Sequence, residues 1–540
     1  MTEGAFINIA AHLSAMALQQ PDTPAIVFPH ANRSLTFRAL DQLSDKIAHG
    51  LVCSGVDRGI RTALMVTPGP EFFALTFALF KVGAVPVLID PGLGIKNMKN
   101  CLAEAQPTAF IGIPKAQIAR LLFGWGRQTL KTIITVGPRL FWRGTTLKQL
   151  IQQSSSEPFH LAITAVDDMA AILFTSGSTG PPKGAVYSHG NFSAQIKALK
   201  QVYSIQPGEI DLPTFPLFAL FDPALGMTAV IPEMDFTRPG SVDPKRIISA
   251  IKTYNVTSMF GSPALINRVG RYGAEQGIKL PSLKRVISAG APVPAVVMER
   301  FSSMLSDGVE IFTPYGATES LPVCSIGSRE ILEETRAITE QGGGVCIGKP
   351  ITGIRVELIK ISDEPLSTWH NDLRVKQGEV GEIVVQGPQV TRSYYHRPEA
   401  DKLAKIGGFF HRMGDLGRQD ETGRIWFCGR KAHRVETASG LLFTIPIEAV
   451  FNTHPAVFRS ALVGVGLKSS QQPVICIELE QGISTSQDQL CSELLALAAG
   501  HPHTSSINTI LFHPSFPVDI RHNAKIFREK LAVWAKEQLT

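Results

Sequence analysis

The chain has 540 residues, 44% hydrophobic and 18% charged, against about 25% charged for an average soluble protein. That content supports a large buried core and excludes intrinsic disorder as the general state, and 47 Gly and 36 Pro without a period exclude a collagen-like or low-complexity protein. The net charge of +6 is mild for this length and gives nucleic-acid binding no support.

Taken in chain order, the opening MTEGAFINIAAHL carries Glu3 and no basic region, unlike a signal peptide. The apolar run 72–89 is interrupted by Lys81 and Pro86, short of the about 20 clean residues that a membrane span needs. It predicts a buried helix followed by a buried strand. Between Glu104 and Glu157 there is no acid, while Lys115, Arg120, Arg127, Lys131, Arg139, Arg143 and Lys148 alternate with Leu121, Leu122, Phe123, Trp125, Phe141 and Trp142. Two readings stand for this stretch: a peripheral contact with an anionic membrane, or a solvated loop beside a packed strand.

Apolar runs at 171–174, 258–260, 286–288 and 309–312 end in Gly-, Ser- or Pro-rich turns, and 264–272 and 294–304 have helical spacing. Such strand–turn–helix alternation predicts an α/β fold with largely parallel sheets and ligands at the strand ends. After about residue 340 the strand-like segments 381–386 and 424–428 are separated only by turns and predict an antiparallel region. A boundary is expected near 430–434. The tail has strands at 461–465 and 474–479 and a closing helix from about Ile526, with Phe527, Leu531 and Trp534 on one face. Seven scattered cysteines without a CxxC pair predict a reducing, cytoplasmic setting and argue against zinc or disulfides.

The most informative segment is 174–184, FTSGSTGPPKG. Its hydroxyls and backbone N–H groups, from Thr175, Ser176, Gly177, Ser178, Thr179 and Gly180, suit an anion, and Lys183 adds a mobile positive charge. It is not a Walker loop, because Lys183 follows Pro182 and precedes Gly184.

With this segment the sequence resembles the AMP-forming adenylating enzymes: acyl-CoA synthetases, luciferases and peptide-synthetase adenylation domains. Further motifs follow in that family's order. SAGAP (288–292) is similar to the turn bordering adenine, with Gly290, Ala291 and Pro292. YGATE (315–319) resembles the second signature, in which Tyr315 and Gly316 border the base, Thr318 meets the α-phosphate and Glu319 helps hold Mg²⁺. MGDL (413–416) resembles the ribose-binding turn, with Asp415 accepting from the ribose hydroxyls, and Gly429-Arg430 the GR before the interdomain hinge. In DIRHNAKI (519–526), Lys525 takes the place of a second catalytic lysine.

The resemblance implies ATP and Mg²⁺ and a large domain over 1–430, of parallel-rich sheets with a small distorted β-barrel region. A hinge at 431–434 and a mobile α+β domain over 435–540 carrying Lys525 would follow. A lysine and a metal placed where charge develops on the phosphates are what attack of a carboxylate on ATP requires. The intact set of Lys183, Glu319, Asp415 and Lys525 argues against an inactive nucleotide-binding scaffold.

The chain departs from the family pattern at Ala219, where a His is common, at Ala432 in the hinge, and at Ala524-Lys525. Its segments FPLFALFDPALGM, FTSGSTGPPKG and VDIRHNAKIFREKLAVWA resemble the β-lactone synthetases of olefin biosynthesis. That branch implies activation of a long-chain 2-alkyl-3-hydroxy acid as the acyl-AMP, then closure to a β-lactone by the substrate's own hydroxyl. It also implies a β-lactone decarboxylase and a ketone reductase as pathway neighbours. The alternative is a long-chain acyl-CoA ligase or acyl-AMP ligase. His189 stands either as a base for ring closure or as a structural residue. Phe215, Phe218, Phe221 and Met227 either line the acyl pocket or pack the core.

Overall fold

The computed structural model of the chain describes residues 7–175, 181–518 and 526–540. The helix Pro70–Lys81 and the strand Val85–Ile89 account for the apolar run. Every residue of that helix except Glu71 is buried, as a helix apolar on all sides requires. Lys81, the exception in composition, is neutralised inside by Asp41 at 2.7 Å and Asp45 at 2.5 Å.

Val85–Ile89 lies within a seven-stranded sheet ordered Thr145–Thr146, Thr132–Thr135, Ala109–Gly112, Arg61–Met65, Val85–Ile89, Met169–Thr175, Lys183–Ser188. All its pairs are parallel except the last, in which Thr175 faces Lys183. The strands on either side of the 174–184 segment are thus a hairpin at one edge of a parallel sheet.

A second, longer sheet runs parallel through Ile210–Pro213, Ser258–Gly261, Arg285–Ser288 and Glu310–Ala317. Its pairing turns antiparallel at Ser320–Gly327, earlier than the change near residue 340 that sequence texture suggests. The strands here share an apolar composition, so composition does not reveal the switch. Antiparallel pairing then continues without a break through Val345–Pro350, Ile425–Arg430, Phe410–Gln419, Gly381–Gln386 and Arg355–Ile359.

Beyond residue 430 a hairpin (Val435–Thr437, Gly440–Leu442) and a three-stranded sheet (Val457–Val465, Gln472–Leu479, Ile510–Phe512) carry their own apolar clusters. The closing helix spans Arg528–Leu539 and buries Leu531 and Ala535. Trp534 packs half-buried against the same cluster and His513, whereas Phe527 precedes the helix. Lys431 donates to the Ser362 carbonyl at 2.8 Å and Arg434 pairs with Asp363 at 2.6 Å, tying residues 431–434 to the preceding sheet region.

The basic stretch divides. Trp125, Trp142 and Arg120 are buried, which removes them from any surface role: Trp142 donates to Thr135 Oγ1 at 2.9 Å and Arg120 to Gln117 at 3.0 Å. Leu122 is 75% and Phe141 80% exposed, with Ile118, Leu121, Phe123 and Leu140 also open to solvent. Among the described residues no helix is long and apolar enough to cross a membrane.

Candidate active site

The site forms where the two sheets meet, and backbone pairing brings its parts together. The strand Lys183–Ser188 is bordered on its free side by residues 393–395. Ala185 bridges Tyr394, Val186 N–H donates to Ser393 at 3.1 Å, and Tyr395 N–H donates to the Gly184 carbonyl at 2.8 Å. On the other side of the strand, Gly184 allows close packing on Met169–Thr175, since a Cβ there would stand 2.8 Å from Ile172. Lys183 Nζ consequently lies 5.2 Å from the centroid of the Tyr394 ring.

Thr318 and Glu319 form the two-residue turn between Glu310–Ala317 and Ser320–Gly327. Gly316 precedes the turn at a point where a Cβ would meet the Ser320 carbonyl oxygen at 2.6 Å, so the hairpin closes only with glycine there. Tyr187 donates its hydroxyl to the Thr318 carbonyl. Tyr394 donates to Glu319 Oε1 at 2.5 Å, and Thr391 N–H to the Glu319 carbonyl at 2.8 Å. Burial, with the Glu319 charge beside it, drives the Tyr394 phenol far above its ordinary value, so Tyr394 remains a donor at any working pH.

Tyr315, three residues before the turn, donates to Asp415 Oδ2 at 2.6 Å. Asp415 and Arg430 are register partners on adjacent strands, and Arg430 Nη1 approaches Asp415 Oδ1 to 2.8 Å. Burial raises the Asp415 carboxyl, opposed by Arg430 and the Tyr315 hydroxyl. Gly290, at φ +101, turns the chain at the end of the strand Arg285–Ser288 and leaves Ala291 half-buried and Pro292 exposed beside it. Only glycine adopts that backbone without strain.

The structure therefore gathers Lys183, Thr318, Glu319, Tyr315, Gly316, Asp415 and Arg430 into one connected region. Ser176, Gly177, Ser178, Thr179, Gly180 and Lys525 lie outside the described residues, as does the Thr175 side chain. His189 sits apart: fully buried at the start of the helix His189–Tyr203, it accepts from Ile9 N–H at 3.2 Å and packs edge-on against Phe80. Burial lowers its imidazole to about 4. These contacts favour the structural one of the two readings, while Nε2 is buried without a hydrogen-bond partner among the described residues. Met227 is buried in the main hydrophobic cluster. Phe215 and Phe218 are half-buried in an aromatic group with Phe260, whereas Phe221 packs on Phe192.

Sequence reasoning missed Tyr394, Thr391 and Tyr187, which position Glu319 and Thr318. Their one signal was the pair Tyr394-Tyr395 in a polar stretch, RSYYHRPE, which means nothing until strand pairing sets it against Lys183.

The family model described as AMP-binding enzyme matches residues 13–395. The chain belongs to the AMP-binding enzyme family. Such enzymes use ATP. This AMP-binding enzyme is 49% identical over 549 residues to an olefin beta-lactone synthetase of Xanthomonas campestris pv. campestris, covering 98% of both chains. It is 50% identical over 550 residues to an olefin beta-lactone synthetase of Stenotrophomonas maltophilia, again with 98% of both covered. In fold it matches the amide bond synthetase McbA of Marinactinospora thermotolerans with TM-score 0.81 at 22% identity, over 98% of this chain and 99% of the other.

Proposed function

We propose that this enzyme activates a long-chain 2-alkyl-3-hydroxy acid with ATP and closes it to a β-lactone, releasing AMP. The carrying observation is near-50% identity, end to end, to two olefin β-lactone synthetases. In the first step the acid's carboxylate attacks the α-phosphorus and pyrophosphate leaves. In the second the substrate's own 3-hydroxyl attacks the acyl carbonyl, loses its proton, and displaces AMP. An internal nucleophile replaces a second substrate by a bound conformation that sets hydroxyl against carbonyl.

The chain's residues divide this work by position. Lys183 and, by resemblance, Lys525 face the phosphates, Thr318 the α-phosphate, and Asp415 the ribose, with the Tyr315 ring beside the base. Glu319 supplies a hard carboxylate oxygen next to the Tyr394 hydroxyl. Among the described residues no group of three or more His, Cys, Asp or Glu forms a metal site of its own. A lone carboxylate fits Mg²⁺, which binds through one or two carboxylates plus substrate phosphates. Bound there, Mg²⁺ would neutralise charge on the phosphate oxygens. In this reading residues 431–434 are the hinge on which the segment carrying Lys525 turns.

The exposed apolar residues of 118–141, with exposed Lys115, Arg127, Arg139 and Lys148 in the same stretch of chain, favour a peripheral membrane contact through which a two-chain acid is collected. Loss of anionic-liposome co-sedimentation in Leu122→Glu with Phe141→Glu supports that contact, and unchanged co-sedimentation overturns it. A strained lactone calls for a consuming enzyme, a β-lactone decarboxylase by resemblance, and the hydroxy acid for a supplying ketone reductase.

The test of function supplies ATP, Mg²⁺ and the hydroxy acid without any thiol. A product lighter by one water, formed in step with AMP, is expected. An acyl-adenylate that persists until coenzyme A or a carrier thiol is added would establish an acid–thiol ligase instead.

A further inference from the structure

Lys405 is 8% exposed, and among the described residues its ammonium makes no direct ion pair, although the charges of Glu319 and Asp401 act on it. It donates to the Thr391 carbonyl and stands 5.9 Å from the centroid of the Tyr394 ring. Burying an ammonium with so few partners costs free energy that an apolar side chain of similar length avoids. Packing alone does not call for a charge at this point.

Its neighbours show what the charge can hold. Thr391, whose carbonyl Lys405 grips, sends its N–H to the Glu319 carbonyl at 2.8 Å, and Tyr394 sends its hydroxyl to Glu319 Oε1 at 2.5 Å. Tyr394 N–H is fixed in turn by Asp401 Oδ1 at 2.8 Å, and His411 meets the Tyr394 ring edge-on at 6.5 Å. The ammonium of Lys183 also faces this ring, at 5.2 Å. Residues 391–394 are thus one clamp on Glu319, gripped from beneath by Lys405 and touching the phosphate-side lysine.

We infer that Lys405 and Tyr394 are positioning residues for the nucleotide site, holding the Glu319 carboxylate in place for metal-bound ATP through the 391–394 segment. The inference rests on the adenylating reading, but not on whether the product is a lactone.

The test measures ATP affinity by calorimetry, with Mg²⁺ and with EDTA, in the absence of any acid. Lys405→Met is expected to weaken Mg²⁺-dependent ATP binding about tenfold, to leave binding in EDTA within twofold, and to keep or raise Tm. Tyr394→Phe, which preserves the ring and removes only the hydroxyl, is expected to lose in the same Mg²⁺-dependent manner. The double variant should be little worse than the poorer single one, because both act through Glu319. Affinities within twofold of the parent in both single variants overturn the inference. So does an equal loss with and without Mg²⁺ in Lys405→Met accompanied by a lower Tm, the mark of a purely structural role. Should Lys405→Met not fold, Tyr394→Phe decides: an unchanged Mg²⁺ dependence there refutes the clamp. Because no acid is present, an acid–thiol ligase outcome leaves this test intact, whereas failure of the parent to bind ATP would strike the adenylating reading itself.

Discussion

Asp415 offers the sharpest contrast between two small perturbations. Its Oδ2 accepts from Tyr315 at 2.6 Å and its Oδ1 faces Arg430 at 2.8 Å, while only 4% of its side chain is exposed. Asp415→Asn keeps the shape and removes the charge. A hydrogen bond to a charged group contributes about 1.5–3 kcal/mol and a neutral one about 1 kcal/mol. Two ribose hydroxyls donating to this carboxylate would therefore lose about 1–4 kcal/mol together, and at about 1.4 kcal/mol per tenfold the ATP affinity should fall roughly 5- to 700-fold. Tyr315→Phe keeps both the ring and the carboxylate. It should cost about 1.5–3 kcal/mol of folding stability while ATP affinity stays within about threefold. Calorimetric titration with ATP and thermal unfolding read the two quantities separately. Equal loss of ATP affinity in both variants, or none in Asp415→Asn, refutes the assignment of Asp415 to the ribose.

Three further outcomes are expected away from the nucleotide. Asp222 is buried with its carboxyl raised well above the ordinary value by burial and by neighbouring Asp211, which is itself raised to about 6. A raised carboxyl stabilises the fold below its unfolded value and loses that contribution as pH rises through the folded one. Asp222→Asn should thus be more stable than the parent at pH 8 by chemical denaturation, with the advantage shrinking below about pH 4; a constant difference across that range would contradict this. For His189, lowered to about 4 by burial, the sign is opposite: neutral-pH stability is lost as pH falls from 6.5 towards 4. The shift corresponds to about 3 kcal/mol, so His189→Gln should flatten the acid limb and retain turnover, and a lost kcat at unchanged stability would support the catalytic reading. Arg285 and Glu209 form a two-point pair at 2.7 and 2.9 Å with side chains 7% exposed. Arg285→Met strands the carboxylate and should cost about 3–5 kcal/mol of unfolding free energy; a cost below about 1 kcal/mol would show that solvent reaches Glu209.

The nucleotide motifs were legible because they are local: FTSGSTGPPKG, YGATE and MGDL are each short runs whose residue types and order can be read without any contact from elsewhere in the chain. The helix Pro70–Lys81, the strands around it and the α/β alternation were legible for the same reason, since period and apolar content act within one element. What the sequence by itself determined, then, is the class of fold, the kind of ligand and the residues of each motif. Tertiary structure decided which groups meet. Pairing of neighbouring strands sets Asp415 against Arg430, and assembly of the sheets brings Asp415 to Tyr315, a hundred residues away in sequence, and the 391–394 segment to Glu319 and Lys183. It also decided which charges lie inside: Arg120, Lys405 and His189 are polar in sequence and buried in space. The physical reason is that burial and electrostatic coupling depend on distance through space, and no spacing along the chain encodes that distance once sheets pair residues from remote segments.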